Sequence, residues 1–192
     1  ISDYLVAFAK EHGFDYVQDE MNNVIIYKPA TPGYENAPTV ILQGHMDMVC
    51  EKRPDVQHDF EKDGLNLSVK DGYVTANGTT LGGDDGIAVA YALALLDSTD
   101  LPHPALEVLI TVDEEIGLLG AVGLDCSVLK GKRMINMDSE AEGSLWISCA
   151  GGLSAVSHIP VARVDAEGEK LQIKVCGLMG GHSGCLLYTS PS

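Results

Sequence analysis

Three short apolar runs each lead into a segment that bears an acidic residue, and this pattern restricts the fold more than any other feature of the chain. Residues 39–42 run into Gly44-His45-Met46-Asp47, residues 106–112 into Asp113-Glu114-Glu115, and residues 133–137 into Asp138. Apolar runs of this length, without polar alternation, are the pattern of strands buried on both faces. Residues 85–96 lie between the first two runs, and Ala88, Ala90, Ala92 and Ala94 suit them to a closely packed, largely buried helix. Strands separated by helical segments predict an α/β fold, a central mixed sheet flanked by helices. Ligands of such sheets collect at the carboxyl ends of the strands, where these acids fall.

The flanking segments fill in the layer. Ser2 is placed to cap a helix whose Leu5, Val6, Phe8 and Ala9 share one face and which ends near Gly13. Strand-like runs follow at 14–17 and 24–27, with Asn22-Asn23 as the turn signal between them, and 29–38 reads as a loop. Residues 65–77 predict a hairpin turning at Asp71-Gly72. From about Leu153 the character changes: 155–159, 162–164 and 171–175 read as strands of a smaller α+β unit, with 165–169 as a polar turn. The expected division is 1–152 and 153–192, with the last residues, 186–192, carrying no pattern that finishes a domain. The chain is expected to be truncated, its first residue being Ile1 and its tail of unrelated origin.

Charge narrows the function. Twelve Lys and Arg face 28 Asp and Glu among 192 residues, a formal net charge of −16. That balance argues against nucleic acid or an anionic membrane as partner, since both are held by basic side chains. Most of the acids would be a solvated surface, with a smaller part gathered to hold cations. The five cysteines, Cys50, Cys126, Cys149, Cys176 and Cys185, are scattered and contain no CxxC pair. This opposes a disulfide framework or a thiolate metal site and fits a reducing cytoplasm. The longest apolar run, 87–96, is about half the ~20 residues that span a bilayer.

Four places in the chain carry chemistry. In an extended segment His45 and Asp47 point to the same side, so imidazole and carboxylate can act together; alone the pair is a weak signal. Leu81-Gly82-Gly83-Asp84-Asp85-Gly86 opens the helix, and its acids would repel a phosphate. Asp84 is then either a helix cap or a cation ligand. Asp113-Glu114-Glu115 is either a solvated strand end or a metal ligand, Glu115, beside a free general base, Glu114. Asp138 is again an acid at the end of an apolar run. Each alone has an ordinary structural explanation. Together, one imidazole and several carboxylates at separate strand and turn ends favour a divalent-cation site over coincident surfaces.

In order and spacing, GHMDMV, GTTLGGDDG, TVDEEIG, NMDSE and GGHSG resemble the motifs of the two-zinc metallopeptidases, a group of dipeptidases and carboxypeptidase-like amidohydrolases. His58-Asp59-Phe60 and the CAGG of 149–152 make the chain most similar to the aminoacyl-histidine dipeptidase branch, over about residues 1–185. The resemblance implies that His45 and Asp138 hold one zinc, that Glu115 and a distal His hold the other, and that Asp84 bridges them. It makes Glu114 the general base and places Asp47 in catalytic support just outside the metals. His182, the His of GGHSG, would bind substrate from a lid domain beginning at 153, through which the complete protein would dimerise. Cobalt or manganese are possible substitutes for zinc.

Hydrolysis of dipeptides, Xaa-His among them, is the activity so implied. A related tripeptidase, an acyl-amino-acid hydrolase, or an inactive metal-binding scaffold are the alternatives. The distal His has no counterpart here, so this chain by itself is expected to be weak or inactive.

Overall fold

The fold is described from a computed structural model, which covers residues 1–139, 143–149, 156–162, 167–169, 171–172 and 174. Two units divide the chain, Ile1–Leu145 and Trp146–Ser192.

In the first unit, Leu5, Val6 and Ala9 recur at helical spacing and are the buried residues of helix α1 (Ser2–His12), which Gly13 ends in the left-handed conformation. Ser2 does not cap it. Ile1 occupies the cap position, and the Ser2 hydroxyl instead donates to the Asn22 carbonyl at 2.8 Å. Strands β1 (Asp15–Gln18), β2 (Val24–Lys28) and β3 (Val40–His45) follow. Next come β4 (Leu67–Lys70) and β5 (Tyr73–Ala76), a separate hairpin with Asp71 and Gly72 both at positive φ in the turn. Helix α2 (Gly83–Asp97), β6 (Leu106–Thr111), the short helix α3 (Leu119–Gly123) and β7 (Arg133–Asn136) complete the unit.

The main sheet has five strands in the order β1-β2-β6-β3-β7. β3 is parallel to both β6 and β7, whereas β2 is antiparallel to β1 and β6. The sheet is therefore mixed, as the sequence pattern predicts. Its three parallel strands all end on one edge, which brings residues following His45, Thr111 and Asn136 together.

One face packs on the helices: Val24, Ile26, Leu42, Val108 and Ile110 meet Leu5 and Ala9 of α1 and Ala92 and Leu96 of α2. The opposite face, Ile25, Ile41 and Leu109 with Val17 and Tyr27 packed beside them, is covered by the segment carrying Leu124, Val128 and Leu129. Central β6 is buried at every position. That includes Glu107, whose carboxylate accepts the Lys130 and Gly131 N–H groups at 2.9–3.1 Å.

Two expectations of burial are corrected. β7 is exposed at every position because it is the edge of the sheet and pairs only with β3 among the described residues. Helix α2 buries one face, Ala88, Ala92 and Leu96, while Ile87 and Tyr91 are more than half exposed. The Lys28 ammonium donates to the carbonyls of Leu95, Leu96 and Ser98 at 2.6–3.0 Å, closing the carboxyl end of α2 on β2.

In the second unit the described residues form no helix or strand, so 156–159 and 162, the described parts of the strands expected at 155–159 and 162–164, are not strand. A strand needs a ladder partner, and none pairs with this segment among the described residues. Of the strand expected at 171–175, residues 171–172 and 174 are described and are not strand; the remainder of the expected strands, and His182, lie outside the described residues. No helix among the described residues is long and apolar enough to cross a membrane.

Candidate metal centre

His45 is the last residue of β3 and is 1 % exposed. Its Nδ1 lies 3.0 Å from the Asp47 carbonyl oxygen and 3.3 Å from Asp47 Oδ1. A proton on Nδ1 leaves the Nε2 lone pair facing the acids. Asp84 Oδ1 is 3.1 Å from Nε2, Asp138 Oδ2 3.8 Å and Glu114 Oε2 3.9 Å. The structure thus brings together the sequence-predicted set His45, Asp47, Asp84, Glu114, Glu115 and Asp138.

Each arrives by its own route. Asp84 comes from the start of α2, which presses directly on the end of β3: a Cβ at Gly44 would stand 2.6 Å from Asp85 Oδ2 and 2.7 Å from the Ala88 Cβ. Only glycine permits that approach. The Asp84–Asp85 peptide is cis, and Asp84 and Asp85 have non-helical backbone angles, so regular helix begins after them. No side chain caps the start of α2. The buried Asp85 carboxylate accepts the His45 N–H at 3.2 Å. Asp84 is left facing His45.

Glu114 and Glu115 sit in the turn after β6, and Asp47 brackets that turn. Its Oδ1 accepts the Glu114 N–H and its Oδ2 the Glu115 N–H, each at 3.1 Å. One carboxylate therefore fixes the orientation of both acids and touches the imidazole as well. Asp138 follows β7, whose register is held by the Asn136 amide donating to Gln43 Oε1 of β3 at 2.5 Å.

The electrostatics are those of a negative cluster around one imidazole. Among the described residues, the ion pairs of Asp47, Asp84 and Glu114 are all with His45. Burial pushes the Asp85 carboxyl up to about 6, with Asp138 adding to the rise. Burial likewise raises Glu114, helped by the charges of Asp138, Glu115 and Asp47 and opposed by His45. For His45, burial pulls downward, but Asp138, Asp47 and the bond to Asp84 outweigh it and the net shift is upward.

A divalent cation fits this donor set. Ligand atoms of His45, Asp84 and Glu115 lie within 4.8 Å of one another, as do those of His45, Glu114 and Asp138. One nitrogen and several carboxylate oxygens suit zinc and similar ions.

The geometry brings one imidazole and several carboxylates together, and the chain belongs to peptidase family M20/M25/M40, whose description it matches over residues 41–146. It is 45% identical over 186 residues to the cytosol non-specific dipeptidase of Escherichia coli (strain K12), covering 96% of this chain and 38% of that protein. The chain thus spans well under half the length of this curated relative. Its fold is similar to the crystal structure of aminoacylhistidine dipeptidase from Vibrio alginolyticus, with a TM-score of 0.72 and 49% identity over 74% of this chain and 29% of that one. A tripeptidase from Staphylococcus aureus subsp. aureus Mu50 is also similar, with a TM-score of 0.60 and 27% identity over 72% of this chain and 37% of that one. The family is one of metal-dependent peptidases, in keeping with the ligand groups above.

Sequence reasoning missed one contact of the site. Asp85 reads from sequence only as the start of a helix, and its contact with His45 becomes visible once α2 is packed on Gly44.

Proposed function

We propose that this chain carries the catalytic centre of a cytoplasmic two-zinc dipeptidase that hydrolyses Xaa-His and other dipeptides. The observation carrying the proposal is the convergence on His45 Nε2 of acids from three other segments, Asp84, Glu114 and Asp138, within 3.9 Å. His45 and Asp138 would hold one ion, Glu115 the other with a distal His, and Asp84 both. When bound, the ions supply Lewis acidity toward water and toward the scissile carbonyl. Glu114 takes the proton of the attacking water on Oε2 and passes it to the leaving nitrogen, a role its burial-raised proton affinity favours. Asp47 holds Glu114, Glu115 and His45 in mutual register. Residues 1–152 form the catalytic domain and 153–192 begin a lid that carries His182 to the substrate and pairs two subunits.

The dipeptide reading is preferred over a tripeptidase because identity to the Vibrio dipeptidase, 49%, far exceeds the 27% to the Staphylococcus tripeptidase. A panel of Xaa-His dipeptides, tripeptides and N-acyl amino acids, run on the zinc-loaded full-length enzyme, tests it. Faster turnover of tripeptides or acyl substrates would reject the dipeptide reading, and no turnover of any class would favour a binding scaffold.

Asp47→Ala removes two N–H acceptors from the turn and a neighbour from the imidazole. The expected result is a loss of about 10–100-fold in activity or metal affinity, the usual cost of deleting such a support. Zinc titration alongside kcat measurement checks it. Unchanged values in both would mean that the bracket is ornamental.

A further inference from the structure

We propose that Asn23 is a positioning residue for the Glu114–Glu115 pair, its carboxamide latching the base of the turn that carries them. The proposal rests on reading those acids as general base and metal ligand. Asn23 lies one residue before β2, opposite Thr111, where the β2–β6 ladder runs out. It is 1 % exposed. Its Oδ1 accepts the Val112 N–H at 3.0 Å, and its Nδ2 donates to the Gly120 carbonyl at 2.9 Å. A single side chain thereby binds both ends of the segment 112–120.

The carboxamide is itself held rigidly. Nδ2 also donates to Asp19 Oδ2 at 2.7 Å, and the Asn23 backbone N–H donates to Asp19 Oδ1 at 2.8 Å. Every polar atom of the side chain is used, and only one orientation of the amide satisfies all its partners. A buried polar group matched in this way specifies one arrangement, because any other leaves donors or acceptors unpaired away from water.

The segment needs such a hold. Asp113 and Leu118 have φ of 54° and 61°, a conformation that side chains other than glycine rarely adopt. Within it, the Leu119 N–H donates to the Asp113 carbonyl and the Gly120 N–H to the Val112 carbonyl, at 3.0 and 3.1 Å. Its closing point is tight: a Cβ on Gly120 would meet the Val112 carbonyl oxygen at 2.3 Å and Asn23 Oδ1 at 2.5 Å. Asp47 grips the turn from the side of the metal ligands and Asn23 grips it where it joins the sheet. Between these two holds the carboxylates of Glu114 and Glu115 keep their aim at His45.

Asn23→Ala and Gly120→Ala attack the junction from opposite sides. Amide hydrogen exchange on the chain, with zinc titration of the same samples, reads the outcome. In both variants Val112 and residues 118–120 should exchange at least about tenfold faster, while Ile25 and Leu109 in the sheet keep wild-type protection. Zinc affinity should fall about 10–100-fold. Unchanged exchange in 112–120 would overturn the latch. Faster exchange with wild-type zinc affinity would overturn its positioning role. If Asn23→Ala loses protection throughout the sheet, Gly120→Ala, which keeps the Asn23 side chain, decides. Wild-type protein whose zinc binding is absent, or survives His45→Ala, would count against the metal-centre reading and not against the latch, which the exchange data judge alone.

Discussion

Glu114→Gln in the zinc-loaded full-length enzyme is expected to lower kcat for dipeptides by about 10²–10⁴-fold, the contribution of a well-placed general base. Bound zinc should stay at the wild-type level. Glutamine keeps the size of the side chain and the backbone N–H that Asp47 accepts at 3.1 Å, so the turn keeps its shape. What disappears is the proton-accepting oxygen 3.9 Å from His45 Nε2. The geometry gives this variant a second use. Glu114 and Glu115 each belong to a group able to hold a cation, Glu114 with His45 and Asp138, Glu115 with His45 and Asp84. If Glu115 is the ligand and Glu114 the base, Glu115→Gln loses metal and activity together while Glu114→Gln loses activity alone. Metal analysis after desalting, beside kcat and KM, separates the two roles. Glu114→Gln protein that loses its zinc would exchange them, and one that keeps full turnover would remove the base from the mechanism.

The parts of this site that follow from one-dimensional periodicity were legible in the sequence. Residues 39–42, 106–112 and 133–137 read as strands because their apolar side chains are continuous, and the acids after them fall on one edge because the three strands are parallel. The same pattern misjudged β7, since a run of apolar residues does not say whether a strand has one neighbour or two. It also overburied α2: the alanines at 88 and 92 do pack, but Ile87 and Tyr91 share the helix and not its buried face. Which hydrogen bonds join distant segments was not legible. Asp47 to Glu114 and Glu115, Asp85 to His45, and Asn23 to Val112 and Gly120 are contacts between residues 40 to 97 positions apart. Nothing local marks such partners, because an Asn beside a strand or an Asp at a helix start has an ordinary local use. Asp84 and Asp85 show the difficulty directly. Sequence offers two adjacent acids and one capping role, and in the fold no side chain caps α2: Asp85 bonds the His45 N–H and Asp84 faces the imidazole.

If Asp84 bridges two zinc ions as proposed, Asp84→Asn in the full-length enzyme has the second large expected effect: bound zinc should fall from two ions to one or none, with at least about 100-fold loss of turnover. A carboxylate shared by two cations gives one oxygen and half its charge to each. A carboxamide has one oxygen, no charge, and an NH₂ group that repels a cation, so it cannot serve both. Asp84 Oδ1 is the nearest acid oxygen to His45 Nε2, at 3.1 Å, and its side chain is 41% exposed, which leaves room for a ligand on the far side. The packing of α2 rests on Ala88, Ala92 and Leu96 and on the close approach at Gly44. Asp84→Asn should therefore unfold at the wild-type temperature when both proteins are stripped of metal, and differ only when zinc is present, since a bound ion stabilises the protein that holds it. Thermal unfolding with and without zinc, beside metal counting, tests this. Two retained ions would refute the bridge, and a lower melting temperature in the stripped protein would show that Asp84 supports the fold as well.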